Sequence, residues 1–243
     1  MNKLYVVGIG PGKNEGMTIE AGKALENSEV IVGYQAYIDL VRDLFPNKEY
    51  FSTPMKKEID RCKEALYIAS EGKTVSMICS GDAGVYGMAS PILQLASEYE
   101  KVDIEIVPGV SAALSGASVL GAPLAHDFCV ISLSDLLTPW EVIEKRLKGA
   151  GVGDFCIAIY NPSSHKRADY LQKACDILME YKASSTVCGF VKNIGRDGEE
   201  KYITTLKELR DAKVDMFTTV FIGNSNTYEE NDYMITPRGY KMD

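Results

Sequence analysis

Apolar runs that end in glycine-rich turns recur along the chain, and most lead into stretches that read as helix. Thr74–Cys79 reads as a buried strand and Met88–Ala96 as an amphipathic helix, with Ser80-Gly-Asp-Ala-Gly-Val-Tyr-Gly87 as the turn between them. Lys3–Gly8 is a second apolar strand, running into Gly8-Ile-Gly-Pro-Gly12, and a helix is predicted to start near Thr18. Glu29–Gly33 is a further strand. Val102–Val107 is another, followed by Pro108-Gly-Val-Ser111 and a helix of Ser, Ala and Gly through Ser118. This alternation predicts an α/β fold, in which turns at the carboxyl ends of strands are the usual place for a ligand.

Beyond Gly121-Ala-Pro-Leu124 the alternation resumes. Strands are predicted over 128–133, 154–160, 186–191 and 217–222, and helices over 139–148, 165–181 and 205–212. Thr138, with Pro139 and Glu141, has the spacing of a capping box, and Thr205 with Glu208 repeats it. Trp140 reads as a packing residue at a helix start. Gly195-Arg-Asp-Gly198 reads as a hairpin turn before Lys201-Tyr-Ile203. The pattern predicts two α/β domains with mixed sheets, residues 1–121 and 122–243, and a ligand cleft between them.

Composition narrows the class. The 243 residues are 46% hydrophobic and 25% charged, enough for a substantial core. With no 18-residue apolar run and no signal-peptide pattern, a cytoplasmic protein without a membrane partner is expected. The six cysteines (62, 79, 129, 156, 175 and 188) show no C-x-x-C spacing and read as buried free thiols. His126 and His165 are the only histidines, so a protein-built zinc or haem site is not expected. A formal net charge of −8 argues against nucleic acid, because phosphate backbones demand clustered Lys and Arg. The basic residues are interspersed with acids, as in Lys56-Lys-Glu-Ile-Asp-Arg-Cys-Lys-Glu64, which reads as a solvated helix face.

The first glycine loop invites a dinucleotide reading, which the residues disfavour. A G-x-G-x-x-G fingerprint would put its third glycine at position 13, which is Lys13, and Pro11 removes a backbone donor. No acidic residue closes the second strand either, where the chain reads Gly33-Tyr34-Gln35.

Taken together, Gly8–Gly12, Gly81–Gly87 and Pro108–Ser111 resemble the Gly-x-Gly-Pro-Gly, Gly-Asp-x-x-x-x-Gly and Pro-Gly-x-Ser motifs of the tetrapyrrole (cobalamin-type) S-adenosylmethionine methyltransferases. The resemblance covers nearly the whole chain. The segments His126–Trp140 and Tyr160-Asn-Pro-Ser-Ser164 are similar to the branch that methylates C-17 of precorrin-3B or cobalt-factor III. The second loop departs from many relatives in reading Gly-Asp-Ala for Gly-Asp-Pro.

The resemblance implies S-adenosylmethionine as methyl donor, S-adenosylhomocysteine as its product, and a homodimer. Cobalt would enter only as part of the tetrapyrrole substrate. It implies donor contacts at Pro11, Ser80, Gly81, Asp82, Val85, Ser111 and Ala112 in the first half, and at Tyr160, Gly189, Phe190, Thr218 and Thr219 in the second. Tyr160 and Phe190 are candidate walls for adenine. Arg167, Lys13 and Lys192 are candidates for the tetrapyrrole carboxylates. His126, Asp127 and Asp135 bracket one strand and are candidates for the proton transfers of the ring contraction that accompanies C-17 methylation. Another corrin position, ribosomal RNA, and a non-catalytic ligand-binding module remain alternative readings.

Overall fold

The computed structural model describes residues 2–54, 57–99, 101–164 and 167–241. The chain divides into two units, Met1–Ala112 and Ala113–Asp243.

The first unit carries β1 (Lys3–Gly8), α1 (Ile19–Asn27), β2 (Val30–Tyr34), α2 (Gln35–Val41), β3 (Glu49–Thr53), α3 (Glu58–Ser70), β4 (Thr74–Cys79), α4 (Ala89–Leu95) and β5 (Asp103–Val107). Its strands lie in the order β3-β2-β4-β1-β5 and all are parallel. Both faces are covered, α3 and α4 packing with Val6, Val32 and Met77 on one side, α1 and α2 with Val7, Ile31 and Ile78 on the other. Burial on both faces is why β4 reads as an almost unbroken apolar run. Thr18 caps α1, its hydroxyl accepting from the Ala21 amide at 3.0 Å. The order β4-β1-β5 makes neighbours of the three strands that end in glycine loops.

The second unit carries nearly all of α5 (Ala112–Leu120), then β6 (Gly121–Ala122), β7 (Phe128–Ser132), α6 (Trp140–Val152), β8 (Cys156–Tyr160), α7 (Tyr170–Leu178), β9 (Val187–Lys192), β10 (Glu200–Thr205), α8 (Leu206–Leu209), β11 (Thr218–Ile222), β12 (Tyr228–Glu230) and β13 (Tyr233–Ile235). The main sheet runs β10-β9-β11-β8-β7, with β12-β13-β6 as a small separate sheet. Only β7 and β8 of the main sheet are parallel, so the mixed strand directions reside in this unit. One face packs α6, α7 and α8 around Ile143, Leu147, Leu171 and Leu178. The other face receives α5, and this explains why α5 groups with the second unit. A Cβ on Gly116 would lie 2.8 Å from both Phe221 and Ile194, and one on Gly189 would lie 2.9 Å from Leu120.

Local expectations meet different outcomes. The capping box at Thr205 and Glu208 forms. The one at Thr138 does not: Pro139 takes the cap position, with φ −55° and ψ 145°, and no side chain caps α6. The Gly195–Gly198 turn joins β9 to antiparallel β10. The helix predicted from 165 begins at Tyr170, and His165, like Lys56, lies outside the described residues. The solvated face predicted for 56–64 contains a buried residue, Arg61, 4% exposed, while Lys57, Asp60 and Lys63 face solvent.

All six cysteines are free, and all but Cys129 are buried. Burial pushes the thiols of Cys62 and Cys129 up to about 11 and those of Cys79 and Cys175 to about 12, and raises Cys188 as well. Among the described residues no helix is long and apolar enough to cross a membrane.

Gly8 and Gly22 give opposite predictions within the first unit. A Cβ on Gly8 would sit 2.7 Å from the Gly109 nitrogen and the Gly81 oxygen, whereas nothing lies within 4 Å of one on Gly22 in α1. Gly8→Ala is expected to destabilise by about 1–3 kcal/mol, as overpacking does. Gly22→Ala is expected to stabilise by about 0.5–1 kcal/mol through helix propensity. Urea unfolding followed by circular dichroism checks both.

Candidate active site

The carboxyl edge of the first sheet is built by backbone meeting backbone. Past the ends of β1 and β4, the Ile9 amide donates to the Cys79 carbonyl at 2.9 Å, and Gly10 and Gly81 exchange amide-to-carbonyl bonds at 3.0 and 2.7 Å. The loop after β5 closes on the same point, since a Cβ on Gly109 would collide with the backbones of Gly81 and Gly8. Gly81 has φ +70°, a left-handed conformation that favours glycine. The glycines of the three motifs therefore serve each other first.

Asp82 holds this junction together. Its Oδ1 accepts from the amides of Gly84 and Val85 at 2.8 and 3.1 Å, and its Oδ2 accepts from Gly109 at 3.0 Å, tying the second loop to the third. Thr18 adds a strut, its hydroxyl donating to the Pro108 carbonyl at 3.2 Å. Pro11, Ser80, Gly81, Asp82, Val85 and Ser111, expected to contact the donor, all lie on the loops of this one edge, and Ala112, expected with them, is the first residue of α5. Ser111 is buried, whereas Val85 and Tyr86 stand 37% and 54% exposed on the second loop. An apolar rim above hydrogen-bonding backbone suits a nucleoside with a sulfonium side chain. Lys13 is exposed on the first loop.

In the second unit the two most specific segments meet around one guanidinium. Arg167, its side chain 15% exposed, donates through Nη1 to Asp135 Oδ1 at 3.1 Å and Ser134 Oγ at 3.0 Å, and through Nε to Ser164 Oγ at 3.0 Å. The Tyr170 hydroxyl donates to Asp135 Oδ2 at 2.7 Å. Asn161, at φ +53°, donates through Nδ2 to Ser132 Oγ at 3.0 Å, and the Leu133 amide donates to the Tyr160 carbonyl at 2.9 Å. The Tyr160 hydroxyl accepts from the Ala113 amide at 2.8 Å, satisfying one of the open donors in the first turn of α5. Tyr170 also packs on Trp140, ring centroids 4.6 Å apart, so Trp140 is a packing residue as expected.

These bonds decide what Asp135 can do. Tyr170 first, then Arg167, hold its carboxyl below the ordinary 3.8, so it stays ionised and makes a poor proton acceptor near neutrality. Its geometry is that of a positioning residue. The sequence reading missed Tyr170, which opens α7 just past the turn that carries Arg167.

Other candidates lie elsewhere. His126 and Asp127 precede β7 while Leu133–Asp135 follow it, so the strand's length, roughly 16 Å at about 3.3 Å per residue, separates them. His126 is engaged locally: its Nδ1 accepts from the Asp127 amide at 2.8 Å, and both side chains are exposed. They do not join Asp135 in one proton relay. Phe190 is buried with the α6–α8 core and stacks on Tyr202, centroids 4.6 Å apart, on the face opposite Gly189, which does not suit an adenine wall. Gly189 is covered by Leu120. Thr218 donates to Asp215 Oδ1 at 2.9 Å, Thr219 is its buried neighbour in β11, and Lys192 lies over Phe190 and Tyr202.

Comparison with known proteins places these motifs. The model of the tetrapyrrole (corrin/porphyrin) methylases matches residues 3–210. The chain belongs to that family. It is 49% identical to a probable cobalt-factor III C(17)-methyltransferase of Salmonella typhimurium, over 98% of this chain and 100% of that one. It is 47% identical to a cobalt-factor III methyltransferase of Priestia megaterium over 98% of this chain but only 45% of that longer protein. A crystal structure of the methyltransferase CobJ superposes with a TM-score of 0.89 at 36% identity, covering 96% of this chain and 99% of that one. This tetrapyrrole methylase therefore shares its fold with that structure over 96% of its length.

Tyr170→Phe is expected to move the Asp135 titration up toward the ordinary carboxylate value, and Arg167→Met to do so by a smaller amount, following the order of the two causes. Carboxyl-carbon NMR over acid pH checks this. Because the folded-state value is depressed, the stability from this pairing is present above the ordinary value and is lost as pH falls through the depressed one. The stability gap between parent and Tyr170→Phe should close on that descent.

Proposed function

We propose that this tetrapyrrole methylase transfers the methyl group of S-adenosylmethionine to C-17 of a precorrin-3B or cobalt-factor III type macrocycle, with contraction of the ring, as a step of cobalamin biosynthesis. The observation that carries this reading is the full-length match to the Salmonella relative, with identity of 49%. The meeting of Ser132–Asp135 with Tyr160–Ser164 around Arg167 supports it.

The donor supplies an activated methyl group when bound. The chain then has to hold it in line with an electron-rich carbon and exclude water. The three-loop junction provides a rigid floor for that alignment, with Ser80, Gly81 and Ser111 at its edge and Val85 presenting apolar surface. Asp82 acts chiefly by fixing the loops. Tyr160, Thr218 and Thr219 are the donor contacts of the second unit in this reading, and Gly189, covered by Leu120, and Phe190 are left to packing. Asp135 holds Tyr170 and Arg167 in place for the acceptor. Cobalt belongs to the macrocycle. The working form is a cytoplasmic homodimer without nucleic-acid partners, and sedimentation at about twice the 26.7 kDa chain mass is expected.

Product mass spectrometry with precorrin-3B and with cobalt-factor III tests the reaction. A contracted, C-17-methylated product from either acceptor is expected, and its absence from both, with donor bound, would overturn the assignment. Asp82→Asn keeps one acceptor oxygen but puts an NH2 where a second amide now donates. Its unfolding free energy should fall by about 1.5–3 kcal/mol, the usual value of a hydrogen bond to a charged group, as read by urea unfolding, and calorimetry should show weaker S-adenosylhomocysteine binding as the loops loosen.

A further inference from the structure

Arg61 is the least explained polar group in the first unit. It lies in the first turn of α3, only 4% exposed, and its Nη1 is buried without a hydrogen-bond partner. Among the described residues no carboxylate comes within ion-pair distance of it; the nearby acid Asp60 pairs with Lys57. Among the described residues its close partner is the Tyr34 ring, 6.0 Å from the guanidinium carbon to the centroid. Lys182, equally buried, shows the usual solution, an ion pair to Asp154 at 2.9 Å. A buried cation with an unmet donor is costly, and such a group normally has an anion to serve.

The position says where that anion would come from. In a parallel sheet the helix after β3 starts at the carboxyl edge, so Arg61 lies on the edge that carries the three glycine loops. Tyr34 ends β2 there, and the guanidinium is near enough to Cys79, at the end of β4, to act on its thiol. The planar fork of an arginine matches a carboxylate two bonds at a time.

We infer that Arg61 is a carboxylate anchor at this edge, taking an acid side chain of the tetrapyrrole acceptor. The inference rests on the proposed function for the identity of the acceptor, but not for the existence of the anion site. The donor's aminoacyl group is the other source of the same chemistry.

Acetate and succinate serve as probes in thermal unfolding, against chloride at equal ionic strength, with parent, Arg61→Met and Arg61→Lys proteins. The parent should melt higher with either carboxylate. Arg61→Met should lose that rise while melting, without ligand, no lower than the parent, because an unpaired buried donor has been removed; Arg61→Lys should keep part of the rise. In the methyl-transfer assay Arg61→Met should raise the acceptor KM about ten- to a hundredfold, with kcat within about twofold and S-adenosylhomocysteine affinity unchanged. Weaker S-adenosylhomocysteine binding with unchanged acceptor KM would assign the anchor to the donor and overturn the acceptor claim. No carboxylate effect on the parent, a rise that persists in Arg61→Met, or a large loss of unliganded stability would each overturn the site itself. A carboxylate effect lost in Arg61→Met, in a protein that forms no C-17 product, would refute the proposed reaction and leave the anchor standing.

Discussion

Backbone contact among Gly8, Gly81 and Gly109 is the constraint on which the first unit depends. Neighbouring parallel strands lie about 4.8 Å apart, so loops leaving β4, β1 and β5 on one side must share a narrow space. Side chains at these positions would push the loops apart. Without them, the Gly10–Gly81 bridge can form and Asp82 can span from one loop to the next. Once the loops are closed on each other, the positions of Ser80, Val85 and Ser111 follow with little freedom left.

The second unit solves its positioning problem by other means. Its specific segments are drawn together by side chains, a guanidinium donating to two hydroxyls and a carboxylate and a phenol donating to the same carboxylate. Hydrogen bonds to charged groups are stronger than neutral ones but remain adjustable. One half is therefore set by volume and the other by charge, so conservative substitutions have different meanings in each. Alanine for Gly8 or Gly109 is severe in the first, and lysine for Arg167 is severe in the second.

Much of this was legible from residue order. Thr74–Cys79 is predicted and observed over the same residues, because all but its first residue are buried and a glycine turn closes it. Thr18 and Thr205 announce helix starts through chemistry confined to a few residues. Thr138 misleads because Pro139 takes the cap position in its place, leaving α6 without a side-chain cap. What could not be read were properties created by packing. Arg61 sits in a charged run that looks solvated, and only the placement of α3 buries it. His126 and Asp135 are close in sequence, yet a strand holds its two ends apart. Asp82 looks like a lone charge facing a ligand until the amide of Gly109, distant in sequence, arrives beside it.

The cysteines carry a consequence for a protein that handles a methylating agent. A sulfonium methyl group alkylates thiolates readily, and the thiolate, not the thiol, is the nucleophile. With Cys62 and Cys129 at about 11 and Cys79 and Cys175 at about 12, only about one thiol in 10⁴ to 10⁵ is ionised at pH 7. Cys79 is the telling case, since it ends β4 immediately before the loop proposed to hold the donor. The apolar packing that builds the core there also keeps the protein from becoming its own substrate.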